Sequence, residues 1–281
     1  MFFDKKYPVN SKGAKAMFYP ANSLSLGDNI LWTIIYQDYL NNNPEEEVSF
    51  IPFNTDILNL VQNESIDKLF IRIPSCVTDD QVAELRTWTE VFTYELHIEC
   101  HKLWKKGIYP KFESSEHSAW GVGYGAKRIE HWAWDISKQY VVFHIRNIKT
   151  IKAKNTNPDF VRAIMEHLIQ DCYAKRYIVL LGNDASYGRN VEFIGFDSVV
   201  DLRKKLSLAE IFKIIKQSQL FIGSDSGIAH LAGCCNVPMV CWNFVDEYWF
   251  PKVRNIHNCL FLTKEESKLE VILREIRKKL G

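Results

Sequence analysis

Short apolar runs alternate with segments of helical period along most of this chain, and few architectures satisfy that alternation. AMFYP (16–20) reads as a strand. LGDNILWTIIYQDYL follows it with Ile30, Leu31, Ile34, Ile35 and Tyr39 on one side at helical spacing. VSFIPF (48–53) is a second strand, TDILNLVQN (55–63) a short helix opened by a threonine, and KLFIRI (68–73) a third strand. A long helical segment, DDQVAELRTWTEVFTYELHIECHKLW, is closed by Gly107 and Pro110. Repeated strand-helix units of this kind predict a parallel sheet covered by helices, an α/β fold.

The rhythm breaks over 107–139, where glycine, aromatic and polar residues crowd together, and restarts at YVVFHI (140–145). DFVRAIMEHLIQDC reads as a helix, YIVLLG (177–182) as a strand ending on glycine, and LFIG and PMVCWNF as two further strands. SLAEIFKIIKQS (207–218) opens with Ser207 and, three residues on, Glu210, the pattern of a capping box. The last segment carries Leu269, Ile272, Ile276 and Leu280 at helical spacing, with basic residues in its final turns. A length of 281 residues suits two domains of ordinary size. The expected division is 1–135 and 136–281, each a Rossmann-like lobe.

Composition narrows the class. With 47% hydrophobic and 25% charged residues, and no apolar run of about 18 residues, the chain reads as a globular, non-membrane-spanning protein. MFFDKKYPVN lacks the apolar stretch of a signal peptide. The seven cysteines are scattered without a C-x-x-C pair, which predicts reduced thiols and a cytoplasmic setting. A formal net charge of +1 gives no electrostatic argument for a nucleic-acid partner, though a modified base remains open as an acceptor.

The segment most suggestive of chemistry is LFIGSDSGIAHLAG (220–233). A strand delivers the chain to a turn with glycines at 223 and 227, and a helix begins near Ile228. A helix N-terminus carries unpaired N–H groups and partial positive charge, so it suits a phosphate. Gly227 lets the backbone approach, Ser226 adds a hydroxyl, and His230 stands in the first helical turn. Asp225 repels phosphate and is expected to brace the turn or accept sugar hydroxyls. The plainer alternative is a turn whose aspartate satisfies its own loop. No G-x-S-x-G element surrounds it, so hydrolase chemistry is disfavoured.

FIGSDSGIAHLAGCCNVPMVCWNF resembles the D-[ST]-G-x-x-H-L-A...P signature of the heptosyltransferase-type glycosyltransferases, glycosyltransferase family 9. AMFYPANSLSLGDNILWT is similar to that family's first strand, its Gly-Asp loop and the following helix. YIVLLGNDAS and DLRKKLSLAEIFKIIKQSQLFIG resemble its nucleotide loop and the segment leading into the signature strand. The resemblance implies two Rossmann-like lobes in the GT-B arrangement with a cleft between them. It implies an inverting, metal-independent transfer from a nucleotide-diphosphate sugar to an acceptor hydroxyl, the donor being a substrate and no cofactor being required. Asp28 would be the general base, facing the cleft. A carboxylate in a first helical turn equally complements the helix dipole.

The same resemblance implies that a lysine after the first strand of the second lobe contacts the donor phosphates. Here HIRNIKTIKAK supplies Arg146 and then Lys149, Lys152 and Lys154. Arg146 suits a diphosphate by its planar fork, and an H-x-R element after a strand is also similar to the GDP-fucose-dependent fucosyltransferases. Asn183 and Asp184 follow Gly182 where base or ribose contacts are expected. No D-x-D element offers a metal site. His97 and His101 are spaced for zinc but lack a third ligand.

Trp120, Tyr124 and Trp132 are candidates to stack on a sugar or base. The basic C-terminal helix either docks on a lobe or rests peripherally on a membrane. The alternatives to a transferase are a non-catalytic nucleotide-sugar or phospholigand binder and an epimerase-like GT-B enzyme.

Overall fold

The computed structural model describes residues 15–18, 26–42, 48–51, 89–110, 139–146, 155–172, 176–182, 196–203 and 206–281. The expected helix at 55–63 and strand at 68–73 lie outside them. So do Lys149, Lys152, Lys154, Asn183, Asp184 and the aromatic residues of 111–138. The chain divides into two compact units, Met1–Ser118 and Ala119–Gly281.

In the first unit, β1 (Lys15–Phe18) pairs in parallel with β2 (Val48–Ile51), Lys15 opposite Val48. Parallel neighbours need a crossover, and α1 (Leu26–Asn42) supplies it. A second helix, α2 (Thr89–Lys105), packs on α1 through Leu31, Ile34, Ile35, Leu96, Cys100 and Leu103. The i, i+3, i+4 spacing of Leu31, Ile34 and Ile35 puts them on one stripe, and that stripe is the seam. Gly107, at φ 88, turns the chain out of α2 as the Ile108 N–H donates back to the Leu103 carbonyl at 3.0 Å.

Among the described residues, the second unit holds a six-stranded parallel sheet. Its strands are β3 (Gln139–His144), β4 (Arg176–Leu180), β5 (Val199–Asp201), β6 (Leu220–Ser224), β7 (Met239–Phe244) and β8 (Cys259–Thr263), in the spatial order β5-β4-β3-β6-β7-β8. Among the described residues, four helices cover it: α3 (Pro158–Cys172), α4 (Leu208–Gln217), α5 (Gly227–Cys234) and α6 (Leu269–Leu280). Alternation along each strand divides the core between the two faces. Val141, Phe143, Ile178, Leu180, Leu220, Ile222, Val240 and Trp242 join Ile164, Met165 and Leu168 of α3 and Ile272 and Ile276 of α6. On the other face, the Tyr140 hydroxyl donates to the Ile214 carbonyl of α4 at 2.8 Å. Both faces are covered, so β6 and β7 are buried along their whole length.

The capping box at Ser207 is present: the Ser207 hydroxyl accepts from the Glu210 N–H, and the Glu210 carboxylate accepts from the Ser207 N–H at 2.7 Å. The amphipathic C-terminal helix docks on the sheet through Ile272 and Ile276. No described helix is long and apolar enough to cross a membrane. β5 and β8, the two edge strands, went unread in the sequence.

Candidate functional site

The strand order of the second unit reverses beside β3. After β3 the chain builds outward through β4 and β5, then returns to place β6 on the other side of β3. The crossovers on the two sides of β3 therefore depart in opposite directions, leaving a crevice outside the carboxyl ends of β3 and β6, where open α/β sheets bind ligands. Arg146 follows β3, and Asp225 and Ser226 follow β6, so four sequence-predicted residues, counting Gly227 at the start of α5, converge there.

Close backbone contact holds this seam. His144 pairs with Gly223, and the Arg146 N–H donates to the Ser224 hydroxyl at 2.9 Å, extending the join beyond the last ladder pair. A Cβ on Gly223 would stand 2.6 Å from the His144 carbonyl oxygen, so only glycine fits. Asp225 is 3% exposed, and its N–H donates to the Trp242 carbonyl at 3.0 Å, tying the turn to β7. This backbone bond braces the turn.

Ser226 is the N-cap of α5, in extended conformation, and its hydroxyl accepts from the Ala229 N–H at 3.1 Å. The sequence offered Ser226 as a ligand contact; here the hydroxyl also serves the helix. The N–H groups of Gly227 and Ile228 precede any intrahelical acceptor, and both residues are partly exposed where Ser226 and His230 are buried. The open part of the helix start is therefore Gly227–Ile228.

Two more side chains shape the electrostatics. Burial pushes the His144 imidazole down to about 4; the hydrogen bond between Nδ1 and the Leu181 carbonyl opposes this, and the neighbouring Arg146 charge adds to it. His144 is therefore neutral at pH 7, with Nδ1–H as the donor. Arg146 Nε is buried and makes no hydrogen bond among the described residues. Sequence reasoning missed His144 and Ser224, since their significance appears only once β3 and β6 are known to be neighbours.

Asp28 stands in the first turn of α1 in the first unit, where its Oδ1 lies 3.2 Å from His97 Nε2 of α2. His97 therefore pairs with a carboxylate, while the His101 ring packs at a tilt on Trp104 with centroids 5.4 Å apart. The described residues contain no group of three His, Cys, Asp or Glu side chains able to hold a metal ion. The described cysteines carry free thiols; burial raises those of Cys234, Cys235 and Cys241 above their ordinary range and that of Cys259 to about 11.

The signature segment, the order reversal and the helix start fall together in one stretch of sequence, and that stretch matches a known family. Residues 124–242 match the family model of glycosyltransferase family 9 (heptosyltransferase). No curated protein matches the chain in sequence. Among solved structures, a glycosyltransferase of family 9 from Veillonella parvula is similar at a TM-score of 0.61 and 11% identity, over 94% of this chain and 96% of that one. The ADP-heptose lipopolysaccharide heptosyltransferase II of E. coli is similar at 0.58 and 12%, over 94% and 98%.

The iron-containing dodecameric glycosyltransferase TibC of enterotoxigenic E. coli is similar at 0.53 and 17%, over 84% of this chain and 61% of that one. These likenesses are of fold: an α/β chain of the kind found in GT-B glycosyltransferases, as the strand-helix alternation and the resemblance implied.

Proposed function

We propose that the protein transfers a sugar, with inversion and without a metal, from a nucleoside-diphosphate donor held by the second unit to an acceptor hydroxyl deprotonated by Asp28. The acceptor oxygen attacks the anomeric carbon, the bond from that carbon to the diphosphate oxygen breaks, and the acceptor proton passes to the Asp28 carboxylate. Charge develops on the departing diphosphate, so preorganised donors are needed where it sits.

The observation that carries this reading is the convergence of Arg146, the Ser226 cap and the start of α5 at the reversal of strand order. A guanidinium nitrogen that is buried without an acceptor is costly, and a diphosphate oxygen would supply what Arg146 Nε lacks. Ser226 and the Gly227–Ile228 amides would meet the same anion, with His230 packed behind them. Asp225 would accept sugar hydroxyls. Lys152, Lys154 and Asn183 complete the proposed donor set. ADP-heptose is the donor, and a lipopolysaccharide-core sugar the acceptor, to be tried first.

Titration calorimetry with ADP and turnover with ADP-heptose plus a lipopolysaccharide-core oligosaccharide test the two halves separately. Arg146→Ala weakens ADP binding about tenfold to a hundredfold, the worth of one charge-assisted bond. Asp28→Asn leaves ADP affinity unchanged and lowers turnover by two orders of magnitude or more, roughly what a general base contributes. Near-parent turnover in Asp28→Asn removes that residue from the mechanism. Donor binding by the parent with no product from any acceptor makes the protein a binder.

A further inference from the structure

His97 is buried beside Asp28, and the two side chains differ in how far they reach solvent. The pair spans 69 positions of sequence, joins α1 to α2, and closes at 3.2 Å. The His97 side chain is 1% exposed and the Asp28 side chain 13%. Only the aspartate of this pair reaches the surface, so only it can meet an acceptor. The histidine stands behind it, in the order base then support.

From this geometry we infer that His97 is a positioning residue for Asp28, an inference that rests on the reading of Asp28 as the base. Imidazole Nε2–H donates to Asp28 Oδ1 and holds the carboxylate in one orientation. A carboxylate offers about four lone-pair sites, so the bond from His97 does not by itself keep the group from taking a proton. This is the role of the group that orients a catalytic base, here with a histidine aligning an aspartate.

The surroundings make His97 a rigid support. One turn further along α2, the Cys100 thiol donates to the Leu31 carbonyl of α1 at 3.3 Å. Leu96 and Leu103 pack against Leu31, Ile34 and Ile35 in the same seam. Side chains fixed by packing hold a site more tightly than those on loops. Replacing a buried polar pair by apolar residues of similar volume is often neutral or stabilising. A purely structural need thus gives little reason for an aspartate and a histidine here.

The test uses the full chain, ADP-heptose and a lipopolysaccharide-core oligosaccharide, with ADP release as the readout. His97→Leu removes the donor, whereas His97→Gln places an amide N–H near the position of Nε2. His97→Leu is expected to lower kcat about tenfold to a hundredfold with KM for ADP-heptose changed less than about twofold, and His97→Gln to recover kcat to within about threefold of the parent. Parent-like kcat in His97→Leu overturns the inference. So does a His97→Gln variant that melts at the parent temperature yet is as impaired as His97→Leu.

If Asp28→Asn turns over like the parent, the reading of Asp28 as base fails, a result distinct from loss in Asp28→Asn with none in His97→Leu. Proton NMR reads the contact whatever the acceptor. A hydrogen-bonded imidazole N–H resonance, absent from His97→Leu, should vanish in Asp28→Ala, and its persistence there overturns the inference.

Discussion

His144 sits at a strand end with no room to hold a charge. Its folded value of about 4 lies below the ordinary 6.5, so protons bind the unfolded chain more readily than the folded one between those two values. Stability is full above pH 6.5 and is lost as pH falls toward 4. The shift corresponds to about 3 kcal/mol. Replacing His144 with Phe should flatten that part of the pH dependence of thermal unfolding, so that the variant loses less stability than the parent between pH 7.5 and pH 5. A pH profile identical in parent and variant would mean that His144 does not carry the acid sensitivity. The residue was invisible as a functional candidate in sequence because H-x-R after a strand draws attention to the arginine. Asp28 was singled out in sequence through the Gly-Asp element of the family resemblance, which the structure places in the first turn of α1. The pairing of His97 was not legible, because its partner lies so far away along the chain.

Among the elements, α5 binds the strongest sequence signal to the most constrained backbone. Ser226 caps this helix where the crevice is expected, and two substitutions separate that role from the proposed phosphate contact. Ser226→Ala loses the cap and should cost about 1 kcal/mol of stability. Ser226→Asp keeps the cap, because aspartate is as good an N-cap as serine, but sets a negative charge where the diphosphate would lie. Its melting temperature should stay near the parent's while ADP affinity drops about tenfold or more. Equal ADP affinity in Ser226→Asp and parent would move the phosphates away from α5.

Elements with strong local codes were legible: the capping box of α4, the apolar stripe of α1, and the buried runs of β3, β6 and β7. β5 and β8 were not. β5 has three residues, all half-buried, and β8 pairs with β7 across an irregular register beside Asn243, whose φ is 68. Edge strands bury less, so their composition carries less of the pattern that betrays a strand.

At the scale of the molecule, a ligand bound to the folded chain alone raises its apparent stability by mass action. ADP at about a hundred times its dissociation constant should add about 2.7 kcal/mol. In a thermal-shift panel of ADP, GDP, UDP and CDP the parent should respond to at least one nucleotide, and Arg146→Ala should lose most of that response. A flat response to all four in the parent would count against a donor site in the second unit.

The reversal of strand order also bears on how this protein is made. Arg146 emerges from the ribosome early in the second unit, but the wall opposite it, β6 and the start of α5, follows only after β4, β5 and α4 have been synthesised. Long-range parallel pairing of this kind is slow, because the intervening chain must be ordered first. Any fragment ending before Leu220 carries one side of the crevice and nothing to face it, so the proposed donor site is not assembled in a nascent chain until most of its length is out. The sheet must therefore assemble on its own apolar surface, and whatever stabilisation a donor brings arrives after the fold is already decided.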